Sequence, residues 1–550
     1  MVNGVDMEKV TYASPATTLN EETHRLFDLA LTQERKKLGH THPLFINGHP
    51  VKAHALSDHA APWDTRVLIG RFPRASREQV RKAITAAKIA FAYWQDLGWQ
   101  NRVAFVRKTA DVISKRQFEL AALISLEVGK TRLEAMAEVS EAVDLILYYC
   151  RQMEERQGYE NSMSVAGTER TRSVLKPYGV WAVIAPFHSP LASATGMMAA
   201  AMVAGNTVVF KPESDTPTVG LRLYEMFHQA GLPVGVCNSL TGLAPEIIRE
   251  FVLNPDIDGF AFGGSTDAGM ELMNEIKAAR PFIAQMGGKN PAIVMPSANL
   301  DDAAEGVLRS AFGLAGQNPA GCSRAYVHEK VSKPLRELIA EKAKRLAPGD
   351  PTNRETTLGP LINAAAVARY EQAIRLAKKE GRIVCGGRKL KGENFEHGFY
   401  VEPTVVDDLP KESRLFRDES FGPVLAIGQV GSLDEALTLA NASACGLSAG
   451  IFTTNESEQE AFFERMQAGA LFCNRRAGAT TGAWPGVQSF GGWKGAGSAG
   501  KNALGPYYVP LFMREQSQTV TRLHATVQPT ARADYRPDAF TPQRAASALW

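Results

Sequence analysis

The chain is predicted to be an α/β protein built on parallel sheets, and two observations carry that prediction. From about residue 180 onward, short apolar runs alternate with helical patterns, the order that gives a parallel sheet with crossover helices. Several of those runs end in turns rich in glycine, proline and serine, and loops at the carboxyl ends of parallel strands are where such sheets bind ligands. With 550 residues, 45% of them hydrophobic and 22% charged, the chain is long enough for two or three packed domains.

Asn20 to Gly39 reads as a helix: Asn20 can cap it, Glu21 and Glu22 suit its first turn, and Leu26, Leu29, Ala30 and Leu31 give an apolar face. Pro43 to Gly48 reads as a strand and turn. Helices are expected at Arg77 to Trp94, at Asn101 to Lys115, and from Phe118 into Tyr149. Arg170 to Val183 alternates like an exposed β segment. Strands then follow at Val180 to Ala185, Asn206 to Phe210 and Asp258 to Phe262. They end at Pro186-Phe187-His188-Ser189-Pro190, at Lys211-Pro212-Glu213-Ser214 and at Gly263-Gly264-Ser265-Thr266. A second α/β unit starts at Gly287, with strand Ala292 to Val294, helix Ala303 to Gly313, and the segment Gly316-Gln317-Asn318-Pro319-Ala320-Gly321-Cys322-Ser323-Arg324.

Composition excludes several classes of function. The net charge of +3 is small for this length and no long basic run occurs, so no nucleic-acid partner is expected. The most apolar runs, such as Met197 to Ala204, are too short to span a bilayer, and Met1 to Val10 lacks the apolar core of a signal peptide, so no membrane partner is expected either. The six cysteines are scattered, with no Cys-x-x-Cys and no histidine at ligand spacing, which argues against a metal site and for a reduced, cytoplasmic setting.

These motifs, in this order from Pro43 to Val520, resemble the aldehyde dehydrogenase superfamily. The N-terminal helix, Met286-Gly287-Gly288-Lys289-Asn290 and Thr481-Gly482-Ala483 are most similar to its L-glutamate-γ-semialdehyde (1-pyrroline-5-carboxylate) dehydrogenase branch. The resemblance implies a Rossmann-type cofactor domain (43–168 and 184–286), a second, catalytic-type α/β domain (287–505) and a β-ribbon for oligomerisation (169–183 and 506–520). A helical arm (1–42) precedes them, and a tail (521–550) that is disordered or lies on a partner subunit follows. It further implies a small-molecule substrate, a homodimer or higher homo-oligomer, and NAD or NADP as cofactor.

Family residues carry over to the cofactor side. Lys211 matches the lysine on the adenosine ribose, Ser265 the serine at the helix that receives the pyrophosphate, Glu419 the carboxylate on the nicotinamide ribose, and Phe421 the aromatic beside it. Ile184 and Phe187 belong to the same site, and Gly263 and Gly264 allow close backbone approach. Ser214 stands where NAD-preferring members often carry a glutamate, so NADP is also expected to be tolerated. The substrate side maps to Ala320, where the semialdehyde branch has a serine, and to Gly482, Ala483 and Phe490.

The chemical positions are all substituted. The family's nucleophilic cysteine falls on Pro319, its general-base glutamate on Gln285 and its oxyanion-hole asparagine on His188. Proline has neither thiol nor N–H, and an amide has no useful basicity. If the segment is extended, Cys322 lies about 10 Å beyond position 319 on the opposite face, at ~3.3 Å per residue, and reads as a packed structural thiol. A thiohemiacetal route is therefore not expected. Three functions remain open: an oxidoreductase or lyase-type enzyme using noncovalent acid–base chemistry at His188, whose imidazole can exchange a proton near neutral pH; a non-catalytic scaffold or subunit; and an ordinary 1-pyrroline-5-carboxylate or aldehyde dehydrogenase.

Overall fold

A computed structural model describes residues 9–165, 168–276 and 280–521. Residues 1–8 of the expected arm and nearly all of the expected tail lie outside these.

Two seven-stranded mixed sheets organise the fold. The first runs Phe282–Gln285, Gly259–Gly263, Val180–Ile184, Thr207–Lys211, Cys237–Ser239, Leu44–Ile46, His49–Val51. It is parallel except where Leu44–Ile46 pairs antiparallel on both sides. The strand Val180–Ile184 is apolar throughout because both of its faces are covered. Trp181 and Val183 pack into one core with the Ala192–Ala204 helix, while Val180, Ala182 and Ile184 pack into another with Val80, Ala83 and Ile84. The Ala192–Ala204 helix is buried on every side, as its uniform Ala/Met composition requires.

The second sheet runs Arg382–Cys385, Thr404–Asp407, Val424–Val430, Cys322–His328, Asn290–Val294, Ser448–Phe452, Ala470–Cys473 and is antiparallel only at its first pair. Buried Arg324 at its centre binds it to neighbouring elements. Its guanidinium donates to the carbonyls of Lys289 (2.8 Å), Ala440 (2.8 Å), Phe416 (3.2 Å) and Leu439 (3.4 Å).

Strand register brings the loops together. Ile184 is level with Lys211 and with Phe262, and Gly263 with Gln285, so the turns after these four strands emerge at one edge of the first sheet.

Three sequence expectations are corrected. The helical stretch from Phe118 breaks at Gly129 (φ 87°) into Gln117–Val128 and Arg132–Glu155. The alternating segment 169–183 divides: its exposed part is Glu169–Pro177, and Val180–Ile184 is a central buried strand. Within 506–520, Val509–Phe512 is a short 3₁₀ turn and the strand begins at Met513. The exposed strands form a separate three-stranded sheet in the order Met513–Thr521, Glu169–Pro177, Glu160–Ser162. By compactness the described residues divide into one unit spanning 9–159 and 175–515 and a second drawn from 160–174 and 516–521. Among the described residues no helix is long and apolar enough to cross a membrane.

Arg324→Met should orphan several buried carbonyls, each costing about 1–3 kcal/mol. The expected result is a loss of about 3 kcal/mol or more, read as a lowered chemical-denaturation midpoint against wild type.

Candidate active site

The loop carrying His188 is anchored from beneath. Buried Glu138 accepts from the amides of Leu191 (2.8 Å) and Ala192 (3.2 Å) and is ion-paired with buried Lys130 at 2.6 Å. The half-buried His188 ring sits in an aromatic triangle with Phe187 (6.1 Å) and Phe421 (6.0 Å), themselves 5.8 Å apart. Burial, with Lys130 adding to it, pulls the imidazole down to about 3. Burial thus works against the expected proton exchange near neutral pH. His188 is neutral at physiological pH and can give or take a hydrogen bond, but it holds no proton in reserve.

Pro319 sits on a turn, not on an extended segment. The Gly321 amide donates to the Asn318 carbonyl at 2.8 Å, and the Ala320 amide donates to the Asn318 side chain at 2.9 Å. Buried Asn290 holds the turn by donating to the carbonyls of Pro319 (2.7 Å) and Gly321 (3.0 Å). Pro319 has no amide hydrogen and the next amide is already spent, so neither can serve a developing oxyanion. The extended-chain argument about Cys322 thus fails, although its conclusion stands on other grounds. Cys322 is buried in the Cys322–His328 strand, its thiol donates to the Arg324 carbonyl at 3.4 Å, and burial pushes it up to about 12.

Gln285 ends its strand, and its carbonyl accepts from Gly264 at 3.2 Å. His188, Gln285, Pro319, Ala320, Gly263, Gly482, Ala483 and Phe490 all border one cavity of about 860 Å³. Arg475 donates to the Gly482 carbonyl at 2.7 Å and supports that turn. Sequence reasoning missed Tyr12, Lys130, Glu141 and Arg309, which line the same cavity. The only sequence signal for Arg309 was a charge between Leu308 and Ser310 on a helix whose neighbouring positions are buried.

The other expected cofactor residues each have a defined local setting. Half-buried Glu419 accepts from the Gly288 amide at 3.2 Å; burial raises it to about 7 against the opposing pull of that amide and of Lys289. A Cβ on Gly287 would lie 2.1 Å from the Glu419 carboxylate, so only glycine permits this approach. Lys211 is buried at the end of its strand, its ammonium donating to Ser214 at 3.4 Å, and burial lowers its pKa. Ser265 caps the Thr266–Glu275 helix by accepting from Ala268, which leaves its hydroxyl proton to donate. At Gly263 and Gly264 the space a Cβ would need is held by Pro186 (2.8 Å) and Phe262 (2.5 Å), so the loop's own packing also calls for glycine there. A second cavity of about 1250 Å³ lies between the Ala244–Leu253 and Thr266–Glu275 helices, walled by Ile248, Val252, Phe262 and Leu272. Among the described residues no cluster of three or more His, Cys, Asp or Glu is placed to hold a metal ion.

Two α/β sheets whose strand-end loops meet around one pocket, with these motifs on them, define an aldehyde dehydrogenase fold. The description of the aldehyde dehydrogenase family matches residues 52–517, and the chain belongs to that family. It is 36% identical over 518 residues to 1-pyrroline-5-carboxylate dehydrogenase 1 of Halalkalibacterium halodurans, covering 93% of this chain and 98% of that one. A 1-pyrroline-5-carboxylate dehydrogenase from Thermus, solved with bound NAD, superposes with a TM-score of 0.88 at 32% identity over 94% of this chain and 100% of its own. An NADP-dependent enzyme of E. coli gives 0.83 at 30% identity, covering 88% of this chain and 98% of that one.

Alkylation of the native protein should leave Cys322 unlabelled while the half-buried Cys445 and Cys473 react. Peptide mass spectrometry checks this, and labelling of Cys322 ahead of the other two would show that its thiol is accessible and ionisable.

Proposed function

We propose that the protein is an NAD(P)-dependent oxidoreductase that oxidises small aldehydes of the glutamate-semialdehyde type without forming a bond to the enzyme. The relatives named as 1-pyrroline-5-carboxylate dehydrogenases favour aldehyde oxidation over the lyase-type and non-catalytic readings. The observation that carries the proposal is the retained cofactor side. Glu419 accepts from the Gly288 amide, Lys211 donates to Ser214, Ser265 caps its helix and the Phe421 ring lies 6.0 Å from His188, so the residues expected to hold a cofactor are present while the reacting positions have all been replaced.

The donor set fits the cofactor. Glu419 would accept from the nicotinamide ribose, Lys211 and Ser214 would meet the adenosine ribose, Ser265 would donate to the pyrophosphate, and the apolar slot of Ile248, Val252 and Leu272 suits the adenine. Among the described residues the hydrogen bond of the buried Lys211 ammonium goes to the Ser214 hydroxyl, and Ser214 itself brings no negative charge, so either cofactor can be received. When bound, a nicotinamide supplies the hydride acceptor that aldehyde oxidation requires.

The chain's own residues would act on the aldehyde in its hydrated form. Neutral His188 accepts a hydrogen bond from one hydroxyl and the Gln285 amide orients the other, while Pro319 leaves room where a thiol would otherwise add. The proton released on oxidation goes to solvent, since burial disfavours the charged form of His188. Assembly into a homo-oligomer and a cytoplasmic setting belong to the same reading.

The test is NAD(P)H formation from 1-pyrroline-5-carboxylate together with a cofactor titration. Glu419→Gln should weaken cofactor affinity at least several-fold, since a charge-assisted hydrogen bond contributes about 1.5–3 kcal/mol. Ionised Glu419 is the better acceptor and the group titrates at about 7, so wild-type affinity should rise between about pH 6 and 8. Lys289, pushed down to about 7 by burial, titrates in the same window, so the assignment rests on the slope flattening in Glu419→Gln. Full affinity and an unchanged slope in that variant would contradict the cofactor assignment, and bound cofactor with no product from any small aldehyde would contradict the reaction.

A further inference from the structure

The segment ahead of the Glu21–Arg35 helix is part of the cavity wall. Tyr12, Ala13, Pro15 and Leu19 border the same space as His188 and Pro319. Residues 11–14 form a turn closed by Ser14 N–H to Thr11 O (3.0 Å) and by Thr11 N–H to the Ser14 hydroxyl (2.9 Å). Arg309, inside the Leu300–Phe312 helix, sends its guanidinium into this turn and donates to three consecutive carbonyls: Ser14 at 2.8 Å, Tyr12 at 3.2 Å and Ala13 at 3.5 Å. Among the described residues Arg309 makes no ion pair within 4 Å, and burial lowers its pKa. Its hydrogen bonds go to this segment, and a cation partly removed from water without them would be strongly disfavoured.

The opposite side of the segment is held by the Arg132–Glu155 helix. The Tyr12 hydroxyl donates to Glu141 at 3.1 Å, and Lys9 pairs with Asp144, which also accepts from the Trp484 indole at 2.5 Å. The Tyr12 ring meets Trp484 edge-on at 6.1 Å, and the Lys130 ammonium lies 5.9 Å from its centroid. Trp484 directly follows the Thr481-Gly482-Ala483 turn, so the segment bridges two helices and the expected substrate loop.

We infer that residues 9–14 are a strap latched across the cavity by Arg309, and that Tyr12 is a specificity-determining residue that sets how long a ligand the cavity accepts. The latch stands on geometry alone; the length limit rests on the oxidoreductase reading and names the steric part of its substrate choice.

Two measurements on the full chain test this. Arg309→Lys keeps the charge but cannot serve three carbonyls, and hydrogen exchange followed by mass spectrometry should show residues 9–19 exchanging at least tenfold faster while the sheets are unchanged. Unaltered exchange in that segment overturns the latch. Tyr12→Ala removes only a side chain at the wall, and calorimetric titration with straight-chain carboxylic acids of three to eight carbons needs no turnover. Its affinity optimum should move at least two carbons longer than in wild type, and an identical length profile overturns the specificity role. Absence of binding by both proteins would overturn that role and count against the oxidoreductase reading, while the exchange result still decides the latch.

Discussion

The site depends on Asn290. Fully buried at the first residue of the Asn290–Val294 strand, it donates to the carbonyls of Pro319 and Gly321 and accepts from the Ser448 amide at 3.0 Å. One side chain thus ties three neighbouring segments of the second sheet, and the register shift between Asn290 and Pro291 falls at this point. Two further groups hold the same turn: the Thr480 hydroxyl donates to the Ala320 carbonyl at 2.6 Å, and buried Gln317 binds the Ile362 amide and the Pro360 carbonyl. The turn at position 319 is therefore held through its carbonyls and flanks. Nothing in that arrangement needs an N–H or a side chain at 319 itself, which is why proline fits without disturbing the surroundings.

Electrostatics within the pocket follow from burial rather than from sequence identity. His188 is kept neutral, Cys322 is kept protonated, and Glu419 and Lys289 are both drawn towards the middle of the pH scale. Burial thus leaves His188 and Cys322 uncharged, suited to orienting a polar substrate rather than attacking it. That balance favours a reaction whose bond changes occur between bound partners over one that passes through the enzyme.

Much of the fold was legible in the sequence because buried parallel strands leave unbroken apolar runs: Val180–Ile184 and Gly259–Gly263 stand close to where their composition puts them. The ribbon boundary was misplaced because the alternating stretch before Pro177 runs almost without a break into the buried strand, and only burial separates the two. The cavity residues His188, Gln285 and Pro319 were legible because each sits in a motif that resembles the aldehyde dehydrogenase family. Tyr12 and Arg309 were not, since their contact spans 297 positions and uses backbone carbonyls, which leave no side-chain pattern to read. The turn at Pro319 was misread as extended because, besides the short-range bonds of Asn318, it is stabilised by partners distant in sequence, Asn290 and Thr480.

The central claim is that oxidation proceeds in this pocket without a covalent intermediate. Intact-protein mass spectrometry on samples quenched during turnover with 1-pyrroline-5-carboxylate and NAD(P)+ tests it most directly. The account predicts that reduced cofactor accumulates while every chain keeps its unmodified mass. A chain population carrying an acyl adduct, on Cys322 or on any other residue, would contradict it.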